Sequence, residues 1–218
     1  MKLTKYTHAC VRLEKDGRVL VLDPGNFSEC AEALDGAEAV LVTHEHPDHI
    51  DTPAVAAALG ANAGLNLFAP EGVAAGMRAE APAAAGQIHT AEPGSAFEAA
   101  GFGIRTFGSQ HALIHPQIPV VANIGYLVDE NVFHPGDSFT VPDGVDVRTL
   151  LVPLHAPWSK IGEVVDFVIA VRAPRAFQVH DGLLNDNGLS VVEAHVRRIG
   201  AKYGTEYAHL APRESVEV

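Results

Sequence analysis

The stretch VLVTHEHPDHIDTP, residues 40–53, contains the densest group of potential metal-binding side chains in the chain. Its aliphatic start, rich in β-branched valine, predicts a buried strand, and His44, His46, Asp48 and His49 follow within six residues. Alternate side chains of an extended segment point the same way, so His44 and His46 can reach one metal ion. Asp48 and His49 come after a turn and can reach a second ion. A solvated polar loop is the alternative interpretation.

The same arrangement, an aliphatic run that ends in His or Asp, recurs in NVFHPGD, RAFQVHD and FGIRTFGSQHA. Strands of a shared sheet would bring these ends to one edge, where loops can hold a ligand. The candidate ligands are His44, His46, Asp48, His49, His111, Asp137 and His180. Single-ion catalytic sites need about three protein ligands, so this set predicts two ions.

Imidazoles together with carboxylates favour zinc, with manganese or iron as alternatives, over calcium and magnesium. Two ions about 3.5–4 Å apart can share a water and make hydroxide available at neutral pH. Asp137 is the natural bridging carboxylate between them. Asp48 is the catalytic candidate, because it can orient the nucleophile or accept its proton while binding the second ion.

The segment THEHPDH resembles the HxHxDH signature of the metallo-β-lactamase superfamily, and the order of the candidate ligands matches that family along almost the whole chain. The resemblance implies an α/β (α+β) protein, a four-layer αββα sandwich with its site at the edge of two packed sheets. It assigns the first metal to His44, His46 and His111. It assigns the second metal to Asp48, His49 and His180, with Asp137 bridging.

The segment TKYTHACVRLE, residues 4–14, is similar to the GHSxxxIE opening of a small cytosolic subgroup of that superfamily. This subgroup is related to the L-ascorbate-6-phosphate lactonase and N-acyl-phosphatidylethanolamine phospholipase D branches. Thr7 and Ala9 stand where that opening has Gly and Ser. His8 is therefore a candidate hydrogen-bond donor near the metals or a substrate contact, and a strand histidine with a satisfied hydrogen bond is the alternative.

Three further residues are candidate substrate contacts. His115 lies just beyond a candidate ligand and can face the substrate or orient His111. Trp158, the only tryptophan, and Lys160 share a loop between two predicted elements. A loop tryptophan can form a pocket wall and a lysine can hold a carboxylate or phosphate, whereas a packed corner is the alternative.

Composition excludes several classes of function. The chain has 218 residues and a formal net charge of −12, and it lacks the basic face on which nucleic-acid binding depends. Its apolar runs fall far short of the ~20 residues that span a bilayer, and its start lacks the apolar region of a secretory signal. We therefore expect a cytoplasmic protein with one domain, residues 1–218, that acts on a small molecule.

The sequence favours a metal-dependent hydrolase in which a hydroxide between two metal ions attacks an ester, a lactone or a phosphodiester of a small metabolite. An iron-dependent oxygenase or redox protein on the same ligands is one alternative, and a non-catalytic metal-binding protein is another.

For the segment after the histidine cluster, the pattern predicts a helix with Thr52 as N-cap and Pro53 at its first position, ending at Gly60. The oligomeric state is not readable from the sequence.

Overall fold

The computed structural model describes residues 1–218 and contains fourteen strands. The first seven are β1 (Lys2–Lys5), β2 (Val11–Lys15), β3 (Arg18–Leu22), β4 (Ala39–Leu41), β5 (Asn66–Ala69), β6 (Ile88–Thr90) and β7 (Ala96–Ala99). The others are β8 (Phe102–Phe107), β9 (Gly125–Val128), β10 (Val132–His134), β11 (Thr149–Pro153), β12 (Arg175–Val179), β13 (Glu206–Ala208) and β14 (Ser215–Glu217).

These strands form two mixed sheets of seven strands each, in the orders β14-β1-β2-β3-β4-β5-β6 and β13-β12-β11-β10-β9-β8-β7. Strands β3 to β6 are mutually parallel in the first sheet, and β10 to β13 are parallel in the second. The helices are α1 (Cys30–Ala33), α2 (Thr52–Ala61), α3 (Glu71–Glu80), α4 (Ile161–Val171) and α5 (Asp186–Gly200). None of the helices is both long and apolar enough to cross a lipid bilayer.

Three buried clusters define the layers. The first cluster packs α1, α2 and α3 against the first sheet, the second fills the space between the two sheets, and the third packs α4 and α5 against the second sheet. Strand β4 shows how one sequence serves two layers: Val40 faces the helices and Leu41 faces the other sheet. Successive strand side chains point to opposite faces, so a strand buried on both is aliphatic throughout. The predicted αββα sandwich is confirmed.

A buried tyrosine ties the two sheets together beside the histidine-rich turn. The Tyr126 hydroxyl on β9 donates to the backbone carbonyl of Val42, which follows β4, at 3.0 Å. Burial raises the pKa of Tyr126 well above its ordinary value, so the hydroxyl stays a donor. This bond links the two sheets directly beside the turn that contains His44, His46 and His49.

The predicted helix start after the histidine cluster is wrong by one residue. Asp51, not Thr52, is the N-cap, because its side chain accepts from the Ala54 N–H at 3.0 Å. Proline therefore occupies the second helical position, and the helix ends at Ala61 rather than Gly60.

Strands β13 and β14 were not predicted, because three-residue strands formed by edge pairing carry little hydrophobic alternation.

Candidate metal centre

The histidine-rich turn is held by a neighbouring loop. The Asn26 N–H donates to the Pro47 carbonyl at 2.8 Å, and the Asp51 N–H donates to the Pro24 carbonyl at 2.8 Å. Gly25 lies so close to this turn that a Cβ there would stand 1.8 Å from the backbone oxygen of Asp48. Only glycine permits this approach, so the loop after β3 positions the turn after β4.

The structure brings the predicted side chains together in two groups. The ligand atoms within each group lie within 4.8 Å of one another. One group contains His44, His46, His111 and Asp137, and the other contains His8, Asp48, His49 and His180. These residues follow strands β4, β8, β10 and β12, apart from His8, which precedes β2. The groups are two candidate metal-binding sites at one edge of the sandwich.

The carboxylate of Asp137 joins the two groups. Its Oδ2 lies 3.3 Å from His111 Nε2 and 3.2 Å from His180 Nε2. Its Oδ1 lies 3.1 Å from His49 Nε2, and His44 Nε2 is 3.8 Å from Oδ2. One buried carboxylate therefore reaches imidazoles of both groups, which is the geometry that a bridging ligand needs.

Hydrogen bonds donated by the outer ring nitrogen, Nδ1, orient four of the imidazoles. The Nδ1 atoms of His111 and His180 lie 2.6 Å from the Ala112 carbonyl and 2.7 Å from the His155 carbonyl. Both acceptors hold a proton on Nδ1, so the Nε2 lone pairs face the site. Outer partners of this kind fix the tautomer of metal-binding histidines.

For the other two oriented imidazoles, Asp23 sets the tautomer. The Thr43 hydroxyl donates its only proton to Asp23 Oδ2 at 2.7 Å, so it must accept from Nδ1 of His44, 3.0 Å away. His49 Nδ1 lies 2.7 Å from the same carboxylate oxygen. The Nε2 atoms of both rings are thereby directed inwards, with lone pairs free for a metal.

Three buried atoms of the site make no hydrogen bond of acceptable geometry, although they lie close to one another: His49 Nε2, His180 Nε2 and Asp137 Oδ1. Buried polar groups without partners are rare in folded proteins and call for an explanation, such as an ion. All three are of the kinds that coordinate divalent metals. The donor set therefore fits two divalent ions.

The pKa values of the site residues follow from burial and from the charges of Asp23, Asp137 and the imidazoles. Burial, aided by the neighbouring His49, lowers the pKa of His44 well below its ordinary value. Burial alone would raise the pKa of Asp137, but the imidazoles, His49 first among them, hold it well below its usual range. His49 itself is the exception, since Asp137 and Asp23 outweigh burial and raise its pKa. A divalent ion would take the place of that proton.

His8 lies behind Asp48, fully buried, with its backbone at φ 65°. Its Nδ1 accepts from the Gly182 N–H at 3.1 Å, so its proton is on Nε2, which donates to Asp48 Oδ2 at 3.0 Å. Burial would raise the pKa of Asp48, but this hydrogen bond and the nearby imidazoles lower it to about 2. His8 thus connects the turn after β4 to the loop after β12 and keeps Asp48 ionised.

Sequence reasoning missed Asp23. Its buried carboxylate accepts from the Thr43 N–H at 2.7 Å as well as from the Thr43 hydroxyl and His49. A signal was available, since RVLVLD is one more aliphatic run that ends in an acidic residue. No histidine stands beside Asp23 in the sequence, so it lacks the feature that marks the other strand ends as candidate ligands.

A cavity of about 350 Å³ opens onto both groups, and Trp158 forms part of its wall. The Trp158 indole N–H donates to Asp137 Oδ2 at 3.0 Å. The structure does not bring His115 or Lys160 into that wall. His115 is exposed, and its Nδ1 accepts from the Gln117 N–H at 3.2 Å. Lys160 is exposed and borders a neighbouring depression.

Comparison with known proteins gives matches over most of the chain. Residues 2–180 match the family model described as a β-lactamase superfamily domain. Protein Rv0786c of Mycobacterium tuberculosis is 38% identical over 189 residues, which cover 84% of this chain and 85% of the relative. A UPF0173 metal-dependent hydrolase of Xanthobacter autotrophicus is 28% identical over 172 residues, covering 72% and 68%. Igni18, a metallo hydrolase from Ignicoccus hospitalis, shares the fold with a TM-score of 0.73 at 18% identity, over 99% of this chain and 97% of its own.

The fold and the site define a metal-dependent hydrolase of the metallo-β-lactamase fold, an enzyme with two candidate metal-binding sites. The chain belongs to the β-lactamase superfamily domain family, whose model covers more than half of it. The narrower resemblance to the ascorbate-phosphate lactonase and phospholipase D branches stays a prediction.

Proposed function

We propose that this protein uses two divalent ions, zinc by preference, to hydrolyse an ester, a lactone or a phosphodiester of a small metabolite. The observation that carries the proposal is the convergence of two ligand groups on Asp137, with buried Nε2 atoms of His49 and His180 that make no hydrogen bond. We assign the first ion to His44, His46 and His111, and the second to Asp48, His49 and His180. Asp137 bridges the two.

When bound, two such ions supply a hydroxide at neutral pH and polarise the oxygen of the scissile bond. The chain's own residues prepare the site for this chemistry. Asp23 and Thr43 hold the imidazoles of His44 and His49 with their lone pairs inwards. Asp48, kept ionised by His8, is the residue that we assign to orienting the nucleophile. The Trp158 N–H fixes one oxygen of the bridging carboxylate.

Metal content per chain tests the proposal directly. We expect elemental analysis of protein purified without a histidine tag or chelator to give two zinc or manganese ions per chain. Asp137→Ala should bind at most one ion, because the shared ligand is gone. Its kcat/KM should fall by more than the 10–100-fold typical of losing an outer hydrogen-bond partner.

The matched control is Asp143→Ala, which removes an exposed aspartate and should leave both metal content and turnover unchanged. Two ions retained with full activity in Asp137→Ala would contradict the bridging assignment. A single iron per wild-type chain would instead favour an oxygenase on the same ligands.

His8→Ala should weaken the second ion by about 10–100-fold, because the partner that orients Asp48 is lost. Competition with a chromogenic chelator measures this affinity separately for the two ions. The first ion should keep its affinity, since His8 contacts none of its ligands. Equal weakening of both ions would point to a general loss of structure, and no weakening would contradict the role given to His8.

A further inference from the structure

We propose that the substrate carries an apolar, uncharged group beside the bond that is hydrolysed; this inference rests on the proposed function. The walls of the 350 Å³ cavity, outside the candidate ligands, are largely apolar. Phe27, Ile114, Pro157, Trp158 and Leu183 supply this surface. Small-molecule sites are of this size and character, with a few polar groups that fix orientation.

Two of these side chains are unusually exposed for large apolar residues. Phe27 is 45% exposed and Leu183 is 49% exposed. They project from separate loops, after β3 and after β12, and both reach the same cavity. The Phe27 ring packs edge-on against His8, with 5.1 Å between ring centroids, and therefore lies beside the residue that donates to Asp48. Exposed apolar groups gathered at a cavity mouth mark a surface that a ligand covers.

No lysine or arginine lines the cavity, so its walls offer no partner for a second charge on the substrate. The only carboxylates there, Asp48 and Asp137, belong to the candidate ligand groups. The nearby buried Lys5 is already paired with Asp181, with 3.2 Å between Nζ and Oδ1. The formal net charge of −12 adds a field that repels anions. Lys160, which the sequence offered as a partner for a substrate carboxylate or phosphate, stands outside the cavity wall.

The apolar surface continues beyond the cavity. Ile114, Pro157 and Trp158 also border an adjoining depression, to which Leu113 and Phe139 contribute. An acyl or aryl group that starts at the metal centre can extend along this surface without meeting a charged side chain until Lys160 and Glu163. The geometry therefore favours an ester, lactone or phosphodiester with a hydrocarbon group of several carbons.

A matched pair of esters tests the charge preference. p-Nitrophenyl hexanoate and mono-p-nitrophenyl adipate have the same leaving group and a six-carbon acyl chain, but the adipate ends in a carboxylate. The rate given by Asp137→Ala is subtracted as non-specific hydrolysis. For the zinc-loaded wild-type enzyme, we then expect a kcat/KM for the hexanoate at least tenfold higher than for the adipate. Equal or faster turnover of the adipate would overturn the inference.

Leu183→Arg should shift the substrate preference towards the adipate, because it places a cation at the mouth of the cavity. The hexanoate-to-adipate ratio should fall at least tenfold, chiefly through faster turnover of the adipate. The matched control is Val191→Arg, which also replaces an exposed aliphatic residue by arginine. Val191 lies on α5, is 60% exposed and does not line the cavity. Its ratio should match that of the wild type. An unchanged ratio in Leu183→Arg would contradict a substrate contact at this position.

Binding without turnover separates this inference from the proposed function. Trp158 is the only tryptophan, so its fluorescence reports occupancy of the cavity. Hexanamide should bind with a Kd at least tenfold lower than the Kd of adipamate, its carboxylated analogue. Selective binding with no hydrolysis of either ester would overturn the ester form of the proposed function and leave this inference standing. Hydrolysis without selectivity would overturn this inference alone. If the protein neither bound the amides nor hydrolysed the esters, both proposals would be overturned.

Discussion

Gly25→Ala is expected to abolish most of the activity while leaving the sheets folded. The added Cβ would stand 1.8 Å from the Asp48 oxygen and 2.5 Å from the His49 nitrogen, so the turn must move away. A misplacement of about 1 Å in a catalytic group can cost about 100-fold in rate. We expect at least that loss in kcat/KM, together with weaker binding of the second ion, measured by steady-state kinetics and elemental analysis.

The control for this prediction is Gly76→Ala, inside α3. A Cβ there would meet nothing within 4 Å, and glycine in a helix interior is less stable than alanine by about 0.5–1 kcal/mol. Gly76→Ala should therefore stabilise the fold slightly, and its activity should be unchanged. Full activity in Gly25→Ala would mean that the turn tolerates displacement, contrary to its proposed role in placing Asp48 and His49.

Asp23→Ala is expected to cost the metal-free protein about 3–5 kcal/mol of unfolding free energy, the range for breaking a buried ion pair by removing one partner. The Asp23 carboxylate is fully buried. Its removal leaves the Thr43 N–H, the Thr43 hydroxyl and His49 Nδ1 without their acceptor. Urea denaturation in the presence of a chelator measures the change.

The matched change Asp35→Ala removes an exposed aspartate from a turn and should stay within about 0.5 kcal/mol of the wild type. Asp23→Asn should lie between the two, because it keeps an acceptor for Thr43 but presents an amide or an uncharged oxygen to His49. If Asp23→Ala proved as stable as Asp35→Ala, the buried carboxylate could not be what holds the imidazoles in place.

The local pattern was sufficient to predict the histidine-rich turn and the buried strands, and the family resemblance added the four-layer arrangement. His44, His46, Asp48 and His49 are close in sequence, and aliphatic runs such as the one ending at Leu41 reveal strands buried on both faces. The same periodicity could not place an N-cap. Asp51 and Thr52 both have capping side chains, and the choice of Asp51 follows from its backbone pairing with Pro24.

The sequence by itself determined the kinds of candidate metal-binding side chains and the strand ends on which they stand. Only the tertiary structure decided which distant groups support them. Asp23 meets His49 across 26 positions, and His8 meets Asp48 across 40. It also removed Lys160 from the cavity wall and brought Phe27 and Leu183 into it. The physical reason is that strand periodicity fixes the face and the end of each element, whereas loop conformation and the packing of two sheets fix which loops meet.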